Sequence, residues 1–261
     1  MKRYLQLILC LTLLVSCSEY GRVIKSDDYS AKFELANRFY AKKSYIKATT
    51  LYEQVYQRLP KTTEGELSYY LLGKSYYNIE DYILGAYYLA SFSDKYPDSP
   101  KCEETSFLNV LCAVNNSPKY TLDQTETDVA LNELQLFIYK YPNSVHLDSC
   151  NFLMDKLRSK LELKEVETIK LYDKTSQYKS AVVLSSSFVK AHPTSIYREQ
   201  THSILVKNSA LLAIYSIESK KKERITDAFE RYRKFETDFP NSRYLPDLKS
   251  LITQLEGSQF N

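Results

Sequence analysis

The chain has 261 residues, 44% of them apolar, with five Gly, no Trp and 24 Tyr. That length allows one large domain or two small ones, and scarce Gly beside abundant Leu, Ala, Lys and Glu favours helix. A formal charge of +3 without a basic stripe is no nucleic-acid footprint, and Lys220-Lys221-Lys222 is an isolated cluster that reads as a solvated turn between helices.

Residues 1–16 open with Lys2-Arg3 and continue through an apolar run from Leu5 to Val15, too short to span a bilayer as a stable helix. The run ends in Leu14-Val15-Ser16-Cys17. A small residue followed by Cys directly after such a segment resembles the lipobox of bacterial lipoproteins. The resemblance implies that Cys17 becomes the first mature residue, acylated on sulfur and amine, and tethers the body to a membrane outside the cytoplasm. Losing Lys2 and Arg3 with the leader takes the formal charge from +3 to +1. Residues 17–28 read as the lipidated tether.

From residue 29 onward the chain is punctuated by one phrase. It appears as KYPDSP at 95–100, KYPNSV at 140–145, AHPTSI at 191–196 and DFPNSR at 238–243, and Pro60 follows the same spacing rule. Twelve residues before these five prolines stand Ala48, Gly85, Ala130, Ala181 and Ala228. Eight before stand Tyr52, Leu89, Leu134, Ser185 and Tyr232, and five before stand Val55, Phe92, Phe137, Phe188 and Phe235. Offsets of four and three put each trio on one helical face, with the small residue admitting a close neighbour. Ahead of the first two trios come Leu35-Ala36 with Phe39, and Leu72-Gly73 with Tyr76. This is the pattern of a tetratricopeptide repeat, a helix–turn–helix unit of about 34 residues.

The expected fold is therefore all-α, a right-handed superhelix (α-solenoid) of five such repeats spanning 29–261. The repeats fall at about 29–62, 63–98, 99–143, 144–194 and 195–241, with a capping helix at 242–256 carrying Leu245, Leu248, Leu251, Ile252 and Leu255. Each proline stops one helix and pushes the ring-bearing residue before it out of helical dihedrals. The Ser two residues beyond is expected to N-cap the next helix, with Pro100 suited to a first helical position. The third repeat has a longer internal loop around 115–127, and the fourth a long first helix from 145 to about 173.

No catalytic constellation is present in the pattern. His146, His192 and His202 fall at helix starts without metal-ligand spacing, and there is no phosphate loop or nucleophile elbow. The expectation is a protein that is not an enzyme and needs no metal or cofactor. Cys102, Cys112 and Cys150 form no CxxC pair. A Cys102–Cys150 bridge would need neighbouring helices to bring the two together; buried free thiols are the expected state. The first helices of an array of this type line a concave surface, which assigns Phe33, Asn37, Tyr40, Tyr70, Lys74, Tyr77 and Asn78 to a groove. Rings beside amides and an ammonium suit an extended peptide.

A lipobox followed by five such repeats resembles the BamD family, lipoproteins of the outer-membrane β-barrel assembly machinery. The stretch 154–183, MDKLRSKLELKEVETIKLYDKTSQYKSAVV, looks like that family's fourth repeat, through Asp155, Leu157, Glu165, Tyr172, Tyr178 and Ala181. YPNS and FPNS look like its repeat ends. The sequence departs from the pattern at the charged Lys164-Glu165-Val166-Glu167 and at Ser185, where a larger core residue is usual. The resemblance implies an adaptor on the periplasmic face of the outer membrane. Its C-terminal repeats would dock a BamA-like barrel-forming subunit, and its N-terminal groove would receive C-terminal segments of unfolded outer-membrane proteins. A segment ending in an aromatic residue and a carboxylate would suit Phe33, Tyr70 and Lys74. A periplasmic scaffold coordinating cell-envelope or peptidoglycan proteins is the alternative; it leaves the extended fourth repeat without a purpose.

Overall fold

The computed structural model describes residues 19–257, so Cys17 and the leader lie outside the described residues. Contacts divide the chain after Met154 into two compact units. Among the described residues the regular structure is entirely α-helical.

The first unit holds α1 (Tyr29–Ala41), α2 (Tyr45–Arg58), α3 (Thr63–Asn78), α4 (Tyr82–Ala90), the short α5 (Phe92–Lys95), α6 (Cys102–Asn116) and α7 (Thr125–Lys140). The long α8 (Leu147–Lys174) begins in this unit and ends in the second. The second unit continues with α9 (Tyr178–Ala191), α10 (Arg198–Ile214), α11 (Glu218–Asp238) and α12 (Leu245–Gly257). Within the first unit α2 packs on α1, α3 on α2, α4 on α3, α6 on α4 and α7 on α6; within the second, α10 packs on α9, α11 on α10, and α12 on both. Each unit is thus a stack of helical hairpins. The anticipated long helix and terminal helix are present at Leu147–Lys174 and Leu245–Gly257.

The proline formula has one geometry throughout. Leu59, Tyr96, Tyr141, His192 and Phe239, each directly before a proline, leave the helix with φ between −122° and −137° and ψ between 44° and 67°. The N–H of the ring residue still returns to the helix: Tyr96 to Phe92, Tyr141 to Phe137 and His192 to Phe188 at 2.9 Å, and Phe239 to Phe235 at 2.8 Å. The same pairs bring their rings into tilted contact, with centroids 5.2, 5.2, 4.6 and 5.3 Å apart. The ring before each proline is therefore a plug over the last core aromatic, an i,i+4 pair completed at the helix end. All three residues of every trio are buried, from Ala48, Tyr52 and Val55 to Ala228, Tyr232 and Phe235.

Three features depart from expectation. The serines do not cap the helices: the oxygens of Ser144, Ser195 and Ser242 accept the N–H two residues on at 3.1 Å, and Ser99 does so at 3.3 Å. Their carbonyls accept from the residue three on, at 3.1–3.4 Å, so a tight turn precedes each helix, which starts one residue beyond Lys101, His146, Tyr197 or Tyr244. Pro100 therefore sits in this turn rather than at a first helical position. Second, the helix before Pro97 breaks at Ser91, whose hydroxyl bonds the Tyr87 carbonyl at 2.7 Å and the Tyr69 hydroxyl at 2.6 Å. A serine that bonds the preceding turn while meeting a buried phenol bends the helix it occupies. Third, the segment ahead of α1 is docked: residues 19–23 are helical, Tyr20 meets Phe39 edge-on at 5.5 Å, and Glu19 pairs with Arg38 at 2.6 Å.

Turns inside three hairpins also share a form. Lys43, Glu80 and Ser176 have φ of 57°, 64° and 56°, and each lies two residues before the Tyr that opens the second helix. The N–H groups there reach back five residues, Ser44 to Phe39, Asp81 to Tyr76 and Gln177 to Tyr172, at 2.9–3.0 Å. This left-handed closure satisfies the end carbonyls of the first helix. Cys102, Cys112 and Cys150 are free thiols, the last two buried.

Candidate functional site

The groove residues divide into two groups, set by the helices that carry them. On α1, Phe33, Asn37 and Tyr40 recur at offsets of four and three and gather around buried Tyr52 of α2. The Tyr52 hydroxyl donates to Asn37 Oδ1 at 2.8 Å. The Phe33 and Tyr40 rings each stand 6.4 Å from the Tyr52 ring, and Tyr40 also meets Tyr45 at 5.3 Å. Burial, with Tyr40 nearby, pushes the Tyr52 phenol far above its ordinary value, so it remains a donor. Tyr52 thus supports the shelf from below, and the proline-register pattern read it only as core.

On α3, Tyr70, Lys74, Tyr77 and Asn78 present the second group. Lys74 Nζ donates to the Tyr70 hydroxyl at 2.9 Å and to Glu104 Oε1 of α6 at 2.8 Å. Its ammonium lies 4.9 Å from the centre of the Tyr70 ring, with Lys101 at 5.8 Å. Burial alone would lower the Lys74 pKa, but the hydrogen bonds to Glu104 and Tyr70 outweigh it and hold the amine charged. Burial alone would raise Glu104, and the Lys74 hydrogen bond reverses that, leaving its carboxyl below the usual value. Asn78 Nδ2 donates to the Lys74 carbonyl at 2.7 Å, and Tyr77 meets Tyr82 at 5.9 Å.

The two groups meet at Tyr40. Burial raises its pKa, while the charge of Lys74 and the nearby Asn78 side chain pull it down. Tyr40, Lys74 and Asn78 therefore form one polar cluster between α1 and α3, extended by Glu104 from α6. Two roles shift from the sequence expectation. Tyr70 places its ring in the core, 8% exposed and 6.1 Å from Phe92, so that its hydroxyl rather than its face serves the cluster. Lys74 is not a bare cation, because Glu104 already occupies it. Sequence reasoning missed Glu104 because the third repeat's lengthened loop spoils the register that located the α1 and α3 positions. Among the described residues no group of three or more His, Cys, Asp or Glu is arranged to hold a metal, and no helix is long and apolar enough to cross a membrane.

The fold and cluster define a helical-hairpin repeat protein with a polar, tyrosine-rich shelf on its first hairpins. The YfiO family of outer membrane lipoproteins matches residues 25–223, and the chain belongs to that family. It is similar to outer membrane protein assembly factor BamD of Caulobacter vibrioides, 21% identical over 80% of this chain. It spans 65% of that relative's length. BamD of Neisseria meningitidis serogroup B is 23% identical over 89% of both chains. A crystal structure of kinesin light chain TPR-like repeats aligns over 83% of this chain at 15% identity, with a TM-score of 0.33; at that score the likeness adds nothing to the fold described above.

Proposed function

We propose that this protein is a non-catalytic outer-membrane protein assembly factor, lipidated at Cys17 and held on the periplasmic face of the outer membrane. Its N-terminal hairpins take extended C-terminal segments of unfolded outer-membrane proteins, and its C-terminal hairpins dock a BamA-like barrel-forming subunit. The observation that carries this reading is the family match over residues 25–223, together with relatives named as BamD. The Cys17 lipobox supports the anchor, and the α1–α3 cluster supports peptide capture. Phe33 and Tyr40 are partly exposed rings for apolar side chains, and Asn37 and Asn78 have amides for a peptide backbone.

In this reading the Lys74–Glu104 pair is a gate on specificity. An incoming terminal carboxylate competes with Glu104 for the ammonium, so free Lys74 is exposed only when a ligand supplies the replacement charge. Glu104→Gln removes the competitor. Fluorescence anisotropy with a labelled peptide ending in an aromatic residue and a free carboxylate is expected to show tighter binding to Glu104→Gln than to the native chain. Lys74→Met is expected to erase any preference over the same peptide with an amidated end. Equal binding of both peptides by the native chain and both variants would contradict the proposed site.

A further inference from the structure

The second and third hairpins carry a cleft away from the Tyr40–Lys74–Glu104 cluster. It is lined by α4, α6 and α7 and encloses about 600 Å³, with Ala113 and Asn116 of α6 on its wall. A smaller cleft of about 260 Å³ shares Ala90, Asn109 and Glu133 with it and extends toward Lys140 and Tyr141. At about 100° per residue, Ala113 lies on the side of α6 roughly opposite Glu104. The two sites therefore use different faces of one helix.

This cleft is unusually apolar for an exposed surface. Ile83 is 74% exposed, Tyr87 64% and Val129 42%, and Leu136 of the adjoining smaller cleft is 57% exposed. Ile83 and Tyr87 are one turn apart on α4, and Val129 and Leu136 two turns apart on α7, so they form two facing ridges. Carboxylates lie beside them: Glu126 and Glu133 in the larger cleft, Asp94 and Glu133 in the smaller. Glu133 accepts the Asn109 amide at 2.7 Å. None of these three carboxylates forms a salt bridge among the described residues. The corresponding cleft of the second unit, lined by α9, α10 and α11, has the opposite character. It carries Lys179, Lys220, Arg224 and Arg231 with Glu223 and Asp227. Hairpin stacking produces the cleft in both units; side-chain choice sets its charge.

We propose that the α4–α6–α7 cleft docks an amphipathic helix of a partner protein that carries Lys or Arg beside its apolar stripe. Apolar ridges accept the stripe, and carboxylates without a salt bridge meet the basic side chains. A helix brings its backbone hydrogen bonds with it, so it needs from the cleft only the apolar ridges and the carboxylates. The acidic rim also disfavours an anionic lipid surface.

The test uses the purified full chain and labelled helical peptides of about 18 residues. The first has Leu along one stripe flanked by Lys; one twin replaces Lys with Glu and another replaces Leu with Ser. Anisotropy is expected to show binding of the Leu/Lys peptide alone, weakened by about tenfold or more in Tyr87→Ser/Val129→Ser and in Asp94→Lys/Glu126→Lys. These positions are exposed or partly so, and circular dichroism checks that helicity is kept. Binding of the Glu twin as tightly, or unchanged binding to both variants, overturns the proposal. So does a dimer of the native chain in analytical ultracentrifugation that Tyr87→Ser/Val129→Ser dissolves, because a second copy then covers the cleft. Cosedimentation with phosphatidylglycerol vesicles that the same variant abolishes also overturns it, because lipid is then the occupant.

Discussion

Two buried polar residues in the second unit set the residue-scale energetics. His202 is 1% exposed, edge-on to Phe235 at 5.3 Å, and its Nδ1 has no hydrogen-bond partner. Burial lowers its pKa to about 4; Asp238 opposes that shift, while Arg198, Lys234 and Arg231 add to it. The unfolded chain takes up a proton near the ordinary value of 6.5, and the folded chain only near 4. Stability is therefore full above the first value and falls as pH drops through the window between them. The unfolding free energy from urea titrations is expected to decline over that window, by up to about 3 kcal/mol, and His202→Leu is expected to remove most of the dependence. Ser185 is the second case. It fills the trio position held by Leu or Tyr elsewhere, is fully buried, and its hydroxyl has no partner. Ser185→Ala relieves an unpaired hydroxyl with little loss of volume and is expected to raise stability by about 1 kcal/mol in the same measurement.

At the scale of elements, helix ends and close contacts hold the hairpins in register. Gly65 stands in the first turn of α3, where an added Cβ would lie 1.9 Å from the Leu59 carbonyl oxygen. That contact is with backbone and has no side chain to swing away. Gly65→Ala is expected to lower stability by about 1–3 kcal/mol, whereas Gly21→Ala, with nothing within 4 Å, is expected to be near neutral. Thermal unfolding of the two variants compares them directly. The helix stops before the prolines were legible in sequence because proline and the ring before it impose a local geometry that needs no distant partner. The trio spacing located the core for the same reason. The break at Ser91 was not legible, since it depends on the Tyr69 hydroxyl arriving from another helix at 2.6 Å. Nor was the turn made by the serines, because Ser serves a helix cap and a preceding turn with the same side-chain acceptor.

For the molecule as a whole, the repeat class follows from local punctuation, but the candidate site depends on three hairpins at once. Phe33, Asn37 and Tyr40 were placed by periodicity on α1, and Tyr77 and Asn78 by the same rule on α3. Glu104 could not be, because repeat length changes between the second and third hairpins, with residues 117–124 separating α6 from α7. Its pairing with Lys74 means that the shelf holds a neutralised cation rather than an open one. The two inter-hairpin clefts add a further level, with acidic lining in the first unit and basic in the second.

The most direct measurement is affinity purification of the tagged, full-length protein from its native envelope, with Cys17→Ala as the unanchored control. The account predicts recovery of a large β-barrel protein bearing periplasmic repeat domains. Recovery of peptidoglycan enzymes alone, with no barrel protein, would contradict it.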